Sequence, residues 1–243
     1  MNRKRVSHFF LVLFISVLML AVSSTSLFAS HTDARFQVTL TNLTSGQPFS
    51  PPVAMTHQFA ARLFVVGTPA SDEIISIAEN GDQSGAVALF SSNPHVTEVV
   101  NVGMPLTPYG TTVADFTDTV TFEISAQRGD RLSIAGMLIC TNDGIVGGDG
   151  LRLPRHGEVT YYLNGYDTGT EANTEASSDI VDPCSGLGPN PLAGDPNGNE
   201  NDAVNTSPAG TVQLHAGIMG NGDLNAAHDW DGAAAMITIE RID

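Results

Sequence analysis

The strict alternation of apolar and polar residues in three stretches of the chain is the feature that most restricts its fold. The sequences FQVTLT at 36–41, VTFEI at 120–124 and MITIERI at 236–242 follow a period of two. Successive side chains of a β-strand point to opposite faces, so this alternation predicts strands that are buried on one face. Further runs with the composition of strands occupy residues 58–66, 96–102, 131–140, 159–166 and 211–215. The chain is therefore predicted to be all-β.

Short helices and one long loop complete the predicted architecture. A helix is expected over 71–80, because Ser71 is a good N-cap and Gly81 a good stop. A second short helix is expected over 85–91. Residues 168–209 are rich in Asn, Asp, Gly, Pro and Ser and lack apolar periodicity, which predicts a long acidic loop. The simplest fold with these elements is a single antiparallel β-sandwich with one or two short helices.

The first thirty residues have the layout of a secretory signal peptide. A positively charged segment at 2–5 precedes an apolar stretch at 9–22, and small and polar residues follow through Ser30. Because about 14 apolar residues are short for a membrane span of ~20, cleavage is favoured over an uncleaved anchor. The prediction is a leader at 1–30 and one mature domain at 31–243 that is secreted or otherwise extracytoplasmic, in a periplasm or at a cell surface. No membrane span is expected after the leader.

The net charge narrows the range of partners. Leader removal would take three of the ten basic residues and leave all 26 acidic ones, a formal charge of −19. Nucleic acids and anionic lipid surfaces need a basic footprint, so neither is an expected partner, whereas divalent cations or cationic molecules suit such a chain. Simple solubility is the alternative reason for the charge.

The two cysteines, Cys140 and Cys184, are predicted to form a disulfide outside the cytoplasm rather than a structural zinc site.

Two acidic segments carry the pattern of a cation site. The stretch CTNDG places Asp143 directly after one predicted strand, and YDTGTE places Asp167 and Glu171 directly after another. If these strands are neighbours that end at the same edge, the three carboxylates converge there, with Gly169 allowing a tight turn. Carboxylates without a basic neighbour repel one another unless a cation lies among them, and calcium takes six to eight oxygen ligands. The alternative is turn chemistry, in which the aspartate of an Asp-Gly pair bonds its own backbone; Asp149 is expected to be such a turn residue.

Longer segments around these motifs have a recognisable pattern. They include MLICTNDGIVGGDGLRLP, YYLNGYDTGTEANTE, HAGIMGNGDLNAAHDW and AAMITIERI, with FQVTLTNLTSGQPFSPPV and FVVGTPASDEI upstream. Over nearly the whole mature chain these segments resemble a bacterial spondin domain. In animals, spondin domains occur in F-spondin and mindin, which are secreted extracellular-matrix proteins. The most specific pieces of the resemblance are TNDG-x-VG and YD-x-GTE.

The resemblance implies a β-sandwich that binds one calcium ion through acidic loops at one end. On this chain the ligands would be Asp143, Asp167 and Glu171, with backbone carbonyls such as those of Asn142 or Ile145 completing the shell. Glu171 stands where animal members typically have Asp, and TNDG replaces a Ser-Pro-Asp-aromatic turn, so the coordination is expected to be rearranged rather than lost. The implied function is adhesion or matrix interaction. The partner is expected to be an extracellular protein or glycan, and the protein itself is expected to be a monomer.

The sequence favours a non-catalytic function. It contains neither an HExxH pair nor a G-x-S-x-G elbow, and the predicted disulfide removes both thiols. The alternatives are an extracellular carbohydrate-active enzyme that uses paired carboxylates and a structural protein of the cell envelope. The acidic segment 195–202 is interpreted as a loop, and 221–232 leaves a weak second cation site open. N-glycosylation sequons begin at Asn42 and Asn205.

Overall fold

The computed structural model describes residues 33–188 and 210–243, and it confirms the all-β prediction. These residues belong to one compact unit. The predicted leader, the sequon at Asn205 and the acidic segment 195–202 lie outside the described residues. The strands of the first layer are β1 (Ala34–Asn42), β6 (Thr119–Ala126), β9 (Glu158–Asp167) and β11 (Ala235–Arg241). They form an antiparallel arrangement in the order β6-β1-β11-β9.

The second layer is also antiparallel and contains the strands that lead to the acidic motifs. Its additional strands are β2 (Val53–His57), β3 (Val96–Asn101), β7 (Arg131–Met137), β8 (Gly144–Arg152) and β10 (Gln213–Leu214). The order is β3-β2-β7-β8-β9, and the short strand β10 pairs with the opposite edge of β9. A small separate hairpin is formed by β4 (Thr112–Val113) and β5 (Phe116–Thr117).

Strand β9 connects the two layers. Its first part, from Glu158 to Leu163, pairs with β11, whereas Asn164 to Asp167 pair with β8. Because one strand continues from the first layer into the second, the end of β9 lies beside the start of β8. Gly144 is directly opposite Asp167 in this ladder. The two acidic motifs therefore meet at one edge of the fold.

Two hydrophobic cores hold these layers. The main core lies between the layers, where Val38 and Ile237 of the first layer face residues such as Leu132 and Val146 of the second. The second core lies on the other face of the second layer, where Met55 and its neighbours contact the helices. Strand β2 is buried along its whole length because it serves both cores.

The two predicted helices are present. Helix α1 (Asp72–Asn80) starts after Ser71, whose side chain accepts a hydrogen bond from the Ile74 N–H, and it ends at Gly81 with a left-handed φ of 64°. Helix α2 (Ser84–Ser91) follows. The segment predicted as a long loop contains a 3₁₀ turn (Ser177–Asp179) and a five-residue helix α3 (Pro183–Leu187) within its described part.

Two parts of the strand prediction were wrong. Residues 58–66 form a loop, and the strand lies just before them as β2. Burial on both faces removes the alternation that would have marked β2. No strand was predicted directly after Asp143, but β8 begins at Gly144. β8 was not predicted because it contains four glycines, and glycine is depleted in strands.

Asp149 is a residue of strand β8 and was wrongly predicted to be a turn residue. It forms an ion pair with Arg62, accepts a hydrogen bond from the Leu63 N–H at 3.0 Å and accepts another from the Ser133 hydroxyl at 2.8 Å. These contacts attach the loop after β2 to the middle of the second layer. Asp149 therefore has a structural role away from the acidic edge.

Side chains of β2 and β3 bond to the backbone of strand β6. The Thr56 hydroxyl donates to the Ser125 carbonyl at 2.6 Å, and the Ser125 N–H donates to the Glu98 carboxylate at 2.6 Å. These bonds satisfy backbone groups that an exposed edge strand would leave open.

In the part of the chain that the structure describes, no helix is long and apolar enough to cross a membrane.

Candidate functional site

The turn between β7 and β8 holds Asp143 inside the protein. The Thr141 hydroxyl donates to the Leu138 carbonyl at 2.6 Å and accepts from the Gly144 N–H at 2.9 Å. A Cβ atom on Gly144 would lie 2.3 Å from the Thr141 Oγ1, so only glycine fits at this position. Asp143, which lies within this turn, is 0% exposed.

The loop after β9 wraps around one oxygen of Asp143. The Oδ2 atom accepts hydrogen bonds from the Thr170 N–H at 2.7 Å and from the Glu171 N–H at 3.1 Å. The Thr168 hydroxyl lies 3.0 Å from the same oxygen. Since the Thr168 N–H also donates to the Asp143 carbonyl at 3.2 Å, both the side chain and the backbone of Asp143 join the two segments.

Asp167 is the second predicted ligand, and it lies beside Asp143. Its Oδ1 accepts from the Gly169 N–H at 2.7 Å, and its Oδ2 accepts from the Asn173 side-chain amide at 2.8 Å. Gly169 has a φ of 70°, and a Cβ there would lie 2.9 Å from the backbone of Gly210. The predicted need for a glycine between the two acids is therefore confirmed.

The third predicted ligand, Glu171, is buried in the same loop cluster. It is 4% exposed, and its backbone N–H contacts Asp143 as described above. The structure thus brings the backbones of all three predicted residues to one edge of the fold. Within the described ranges, no three His, Cys, Asp or Glu side chains form a group that could by itself hold a metal ion.

The remaining oxygen of Asp143 is the unusual feature of this cluster. The Oδ1 atom is buried and has no hydrogen-bond partner among the described residues. Burial raises the pKa of Asp143 above its ordinary value, the charge of Asp167 raises it further, and the hydrogen bonds from the 168–171 loop only partly oppose this. The ion pairs formed by the described arginines involve neither Asp143 nor Asp167. A buried carboxylate oxygen with neither a hydrogen bond nor an opposite charge has lost its hydration without compensation.

Two residues that the sequence did not predict, a histidine and a glutamate, also lie beside the cluster. Burial lowers the pKa of His215, while the charges of four carboxylates raise it, in decreasing order those of Asp167, Asp143, Glu175 and Asp229. Glu175 is buried, and its carboxylate accepts from the Met219 and Asn221 N–H groups at 2.5 and 2.6 Å. No short motif marks these residues, because they reach the site from separate loops.

The predicted disulfide between Cys140 and Cys184 is present. Both cysteines are buried in a small apolar cluster with Ile180, Val181 and Leu224. The Gln47 side chain fixes Cys140 further, since its carbonyl accepts from the Cys140 N–H and its amide donates to the Cys140 carbonyl, each at 3.0 Å. The disulfide therefore links the loop segment that follows Glu171 to the turn that carries Asp143.

The other acidic candidates in the described residues serve loop structure. Asp223 accepts from the Ser177 N–H at 2.8 Å, and Asp229 accepts from the Ile218 N–H at 2.9 Å. Trp230 packs against the main core. The sequon at Asn42 is closed to modification in the folded protein, because this buried side chain donates both amide protons, to the Gln47 and Thr107 carbonyls.

Comparison with known proteins adds no family to these observations. No protein-family model matches the chain, and no curated protein matches it.

Proposed function

We propose that this chain is an exported, non-catalytic β-sandwich of the spondin type that binds calcium at the edge formed by Asp143, Asp167 and Glu171. The observation that carries the proposal is the buried Oδ1 of Asp143, which has no hydrogen-bond partner and lies beside a second carboxylate. A cation at this oxygen would replace the missing partner and offset the repulsion from Asp167.

The chemistry of the cluster suits a hard cation. Its groups are carboxylates, hydroxyls and backbone carbonyls, which are oxygen donors of the kind that calcium takes in flexible loop geometry. Backbone carbonyls and water supply much of a typical calcium shell, so three converging side chains are not a requirement. The loop after β9 would be ordered by the cation in addition to its bonds with Asp143.

The proposed location and biological role rest on the sequence pattern. The leader-like residues 1–30 favour export, and the buried disulfide is compatible with an oxidising compartment. The spondin resemblance of the 140–150 and 166–171 motifs suggests adhesion or matrix interaction, with an extracellular protein or glycan as partner. The ordered acidic loops are the candidate contact surface.

Thermal unfolding of the disulfide-intact protein tests the cation site. The protein is compared in EDTA, in graded calcium and in matched magnesium. A ligand that binds only the folded state stabilises it by about 2.7 kcal/mol at one hundred times its dissociation constant. We expect a calcium-selective rise of the unfolding temperature. The absence of a shift, together with metal analysis that finds no bound calcium, would reject the site and leave the fold unchanged.

A further inference from the structure

His215 lies between the acidic cluster and the core. Its backbone N–H donates to the Gly165 carbonyl at 3.1 Å, and its ring lies 5.2 Å from the ring of Trp230. Gly165 allows this packing, because a Cβ there would lie 2.7 Å from the Trp230 ring. The imidazole is thus fixed in place by the end of β9 and by the only tryptophan of the chain.

The hydrogen bond at Nδ1 determines where the ring carries its proton. The Gly217 N–H donates to the Nδ1 of His215 at 3.0 Å, so Nδ1 presents a lone pair. A neutral imidazole with a lone pair at Nδ1 carries its hydrogen on Nε2. Asp229 holds this turn, since its Oδ1 accepts from the Ile218 N–H at 2.9 Å.

The Nε2 of His215 is a buried donor that has no acceptor among the described residues. The Oδ1 of Asp143 is a buried acceptor that has no donor, and its charge acts on His215. The two atoms are complementary, yet they form no bond with each other. A cation at Asp143 would bring oxygen ligands into this region, and such an oxygen would satisfy the Nε2–H as well.

We propose that His215 is a positioning residue that donates its Nε2–H to an oxygen of the cation's ligand shell and does not coordinate the cation. The site is thereby selective for a hard, oxygen-seeking divalent cation over zinc. This inference rests on the proposed function, because it assigns a role to His215 at the same cation site.

Zinc would coordinate through a lone pair on Nε2, but the hydrogen bond from the Gly217 N–H to Nδ1 keeps the ring proton on Nε2. To coordinate through Nε2, the ring must move its proton to Nδ1, where it would face the Gly217 N–H at 3.0 Å. The Nδ1–H and the Gly217 N–H would then face each other in a part-buried position, and the hydrogen bond between these two groups would be lost. Loss of a buried hydrogen bond of this kind lowers affinity by roughly tenfold or more.

Cation titration of four forms of the disulfide-intact protein tests the inference. Calcium and zinc affinities are measured by calorimetry for the wild type, His215→Leu, His215→Gln and the control His156→Leu, which changes an exposed histidine in the turn between β8 and β9. Removal of a supporting residue around a metal site typically costs about 10–100-fold in affinity, which we expect for calcium binding to His215→Leu. His215→Gln keeps an amide donor and should bind calcium within a few-fold of the wild type, as should the control.

Nitrogen-15 correlation spectra of the imidazoles give an independent readout. We expect His215 to carry its proton on Nε2 both in EDTA and in calcium. A proton on Nδ1, zinc bound through Nε2 more tightly than calcium, or unchanged calcium affinity in His215→Leu would each overturn the inference while leaving a cation site in place. Failure of the wild type to bind any cation would overturn the proposed function and the inference together.

Discussion

The Oδ2 atom of Asp143 lies 2.7 Å from the backbone nitrogen of Thr170, so one carboxylate joins the turn before β8 to the loop after β9. The same loop returns a second bond to that oxygen from the Glu171 N–H. Only one side of the carboxylate is used in this way, and Oδ1 stays buried without a partner. The two oxygens of Asp143 therefore differ: Oδ2 joins two chain segments, and Oδ1 has no hydrogen-bond partner among the described residues.

Replacement of Asp143 by Asn tests the two oxygens separately. The raised pKa shows that burial and the Asp167 charge outweigh the hydrogen bonds to the ionised form. Asn keeps one oxygen for the Thr170 and Glu171 N–H groups and removes this disfavoured charge, so the variant should stay folded in EDTA with a stability near that of the wild type. The calcium-dependent stabilisation should disappear, because the unpaired carboxylate oxygen is lost. Chemical denaturation with and without calcium measures both effects.

The matched control for this variant is Asp115→Asn, which removes an exposed carboxylate near the β4–β5 hairpin. It should change stability by less than about 0.5 kcal/mol and keep the calcium response. If Asp143→Asn responds to calcium as the wild type does, Asp143 is not a ligand.

Gly144→Ala tests the turn that holds Asp143. The new Cβ would lie 2.3 Å from the Thr141 Oγ1, which must then leave its bonds to Leu138 and to residue 144. Overpacking of this kind costs about 1–3 kcal/mol, and calcium affinity should fall because Asp143 moves. Urea denaturation and calcium titration provide the measurements.

Gly186→Ala is the comparison for the glycine variant. A Cβ on Gly186 meets nothing within 4 Å, and this residue lies in helix α3. The substitution should be neutral or stabilising by about 0.4–1 kcal/mol. Equal losses in the two variants would show that the contact with Thr141 does not decide the outcome.

The sequence predicted the one-sided strands well, because their burial alternates. β1 shows an alternating pattern of buried and half-buried residues, and its prediction at 36–41 falls inside the observed strand. β2 and β8 were missed because their burial does not alternate. β2 is buried on both faces, and β8 uses glycines where other chain segments come close, as at Gly147, where a Cβ would lie 2.8 Å from the Ile134 carbonyl.

The candidate site was predictable where its residues are close in sequence. TNDG and YDTGTE each contain a turn with its own carboxylates, and strand ends bring the two turns together. His215 and Glu175 could not be found in this way. They reach the cluster through tertiary contacts with Gly165 and with the 217–221 segment, which have no fixed spacing in the sequence.

Removal of the disulfide should weaken both stability and cation binding. Cys140 and Cys184 are 44 residues apart, and closing a loop of that length contributes ~3–4 kcal/mol in the chain-entropy model. We expect the double variant Cys140→Ala with Cys184→Ala to lose about this much in denaturation experiments. Calcium affinity should also fall, because Cys140 lies three residues before Asp143. An unchanged affinity in a folded variant would show that Gln47 alone is sufficient to hold the turn.

The buried His228 should make the protein sensitive to acid. Residue 228 is 2% exposed, and burial lowers the pKa of its imidazole below the ordinary value of 6.5. The unfolded chain therefore binds a proton more readily than the folded protein, and the stability contribution of neutral His228 is lost as the pH falls below about 6.5. His215 acts in the same direction, whereas the raised pKa of Asp143 acts in the opposite one.

The slope of unfolding free energy against pH isolates the effect of His228. In EDTA between about pH 5 and 7.5, one proton contributes at most ~1.4 kcal/mol per pH unit. His228→Gln should reduce the slope of the wild type even if the variant is less stable throughout, since its side chain does not titrate. The exposed-residue variant His156→Gln should keep the wild-type slope. Equal slopes for His228→Gln and the wild type would mean that His228 takes up its proton with little cost in the folded protein.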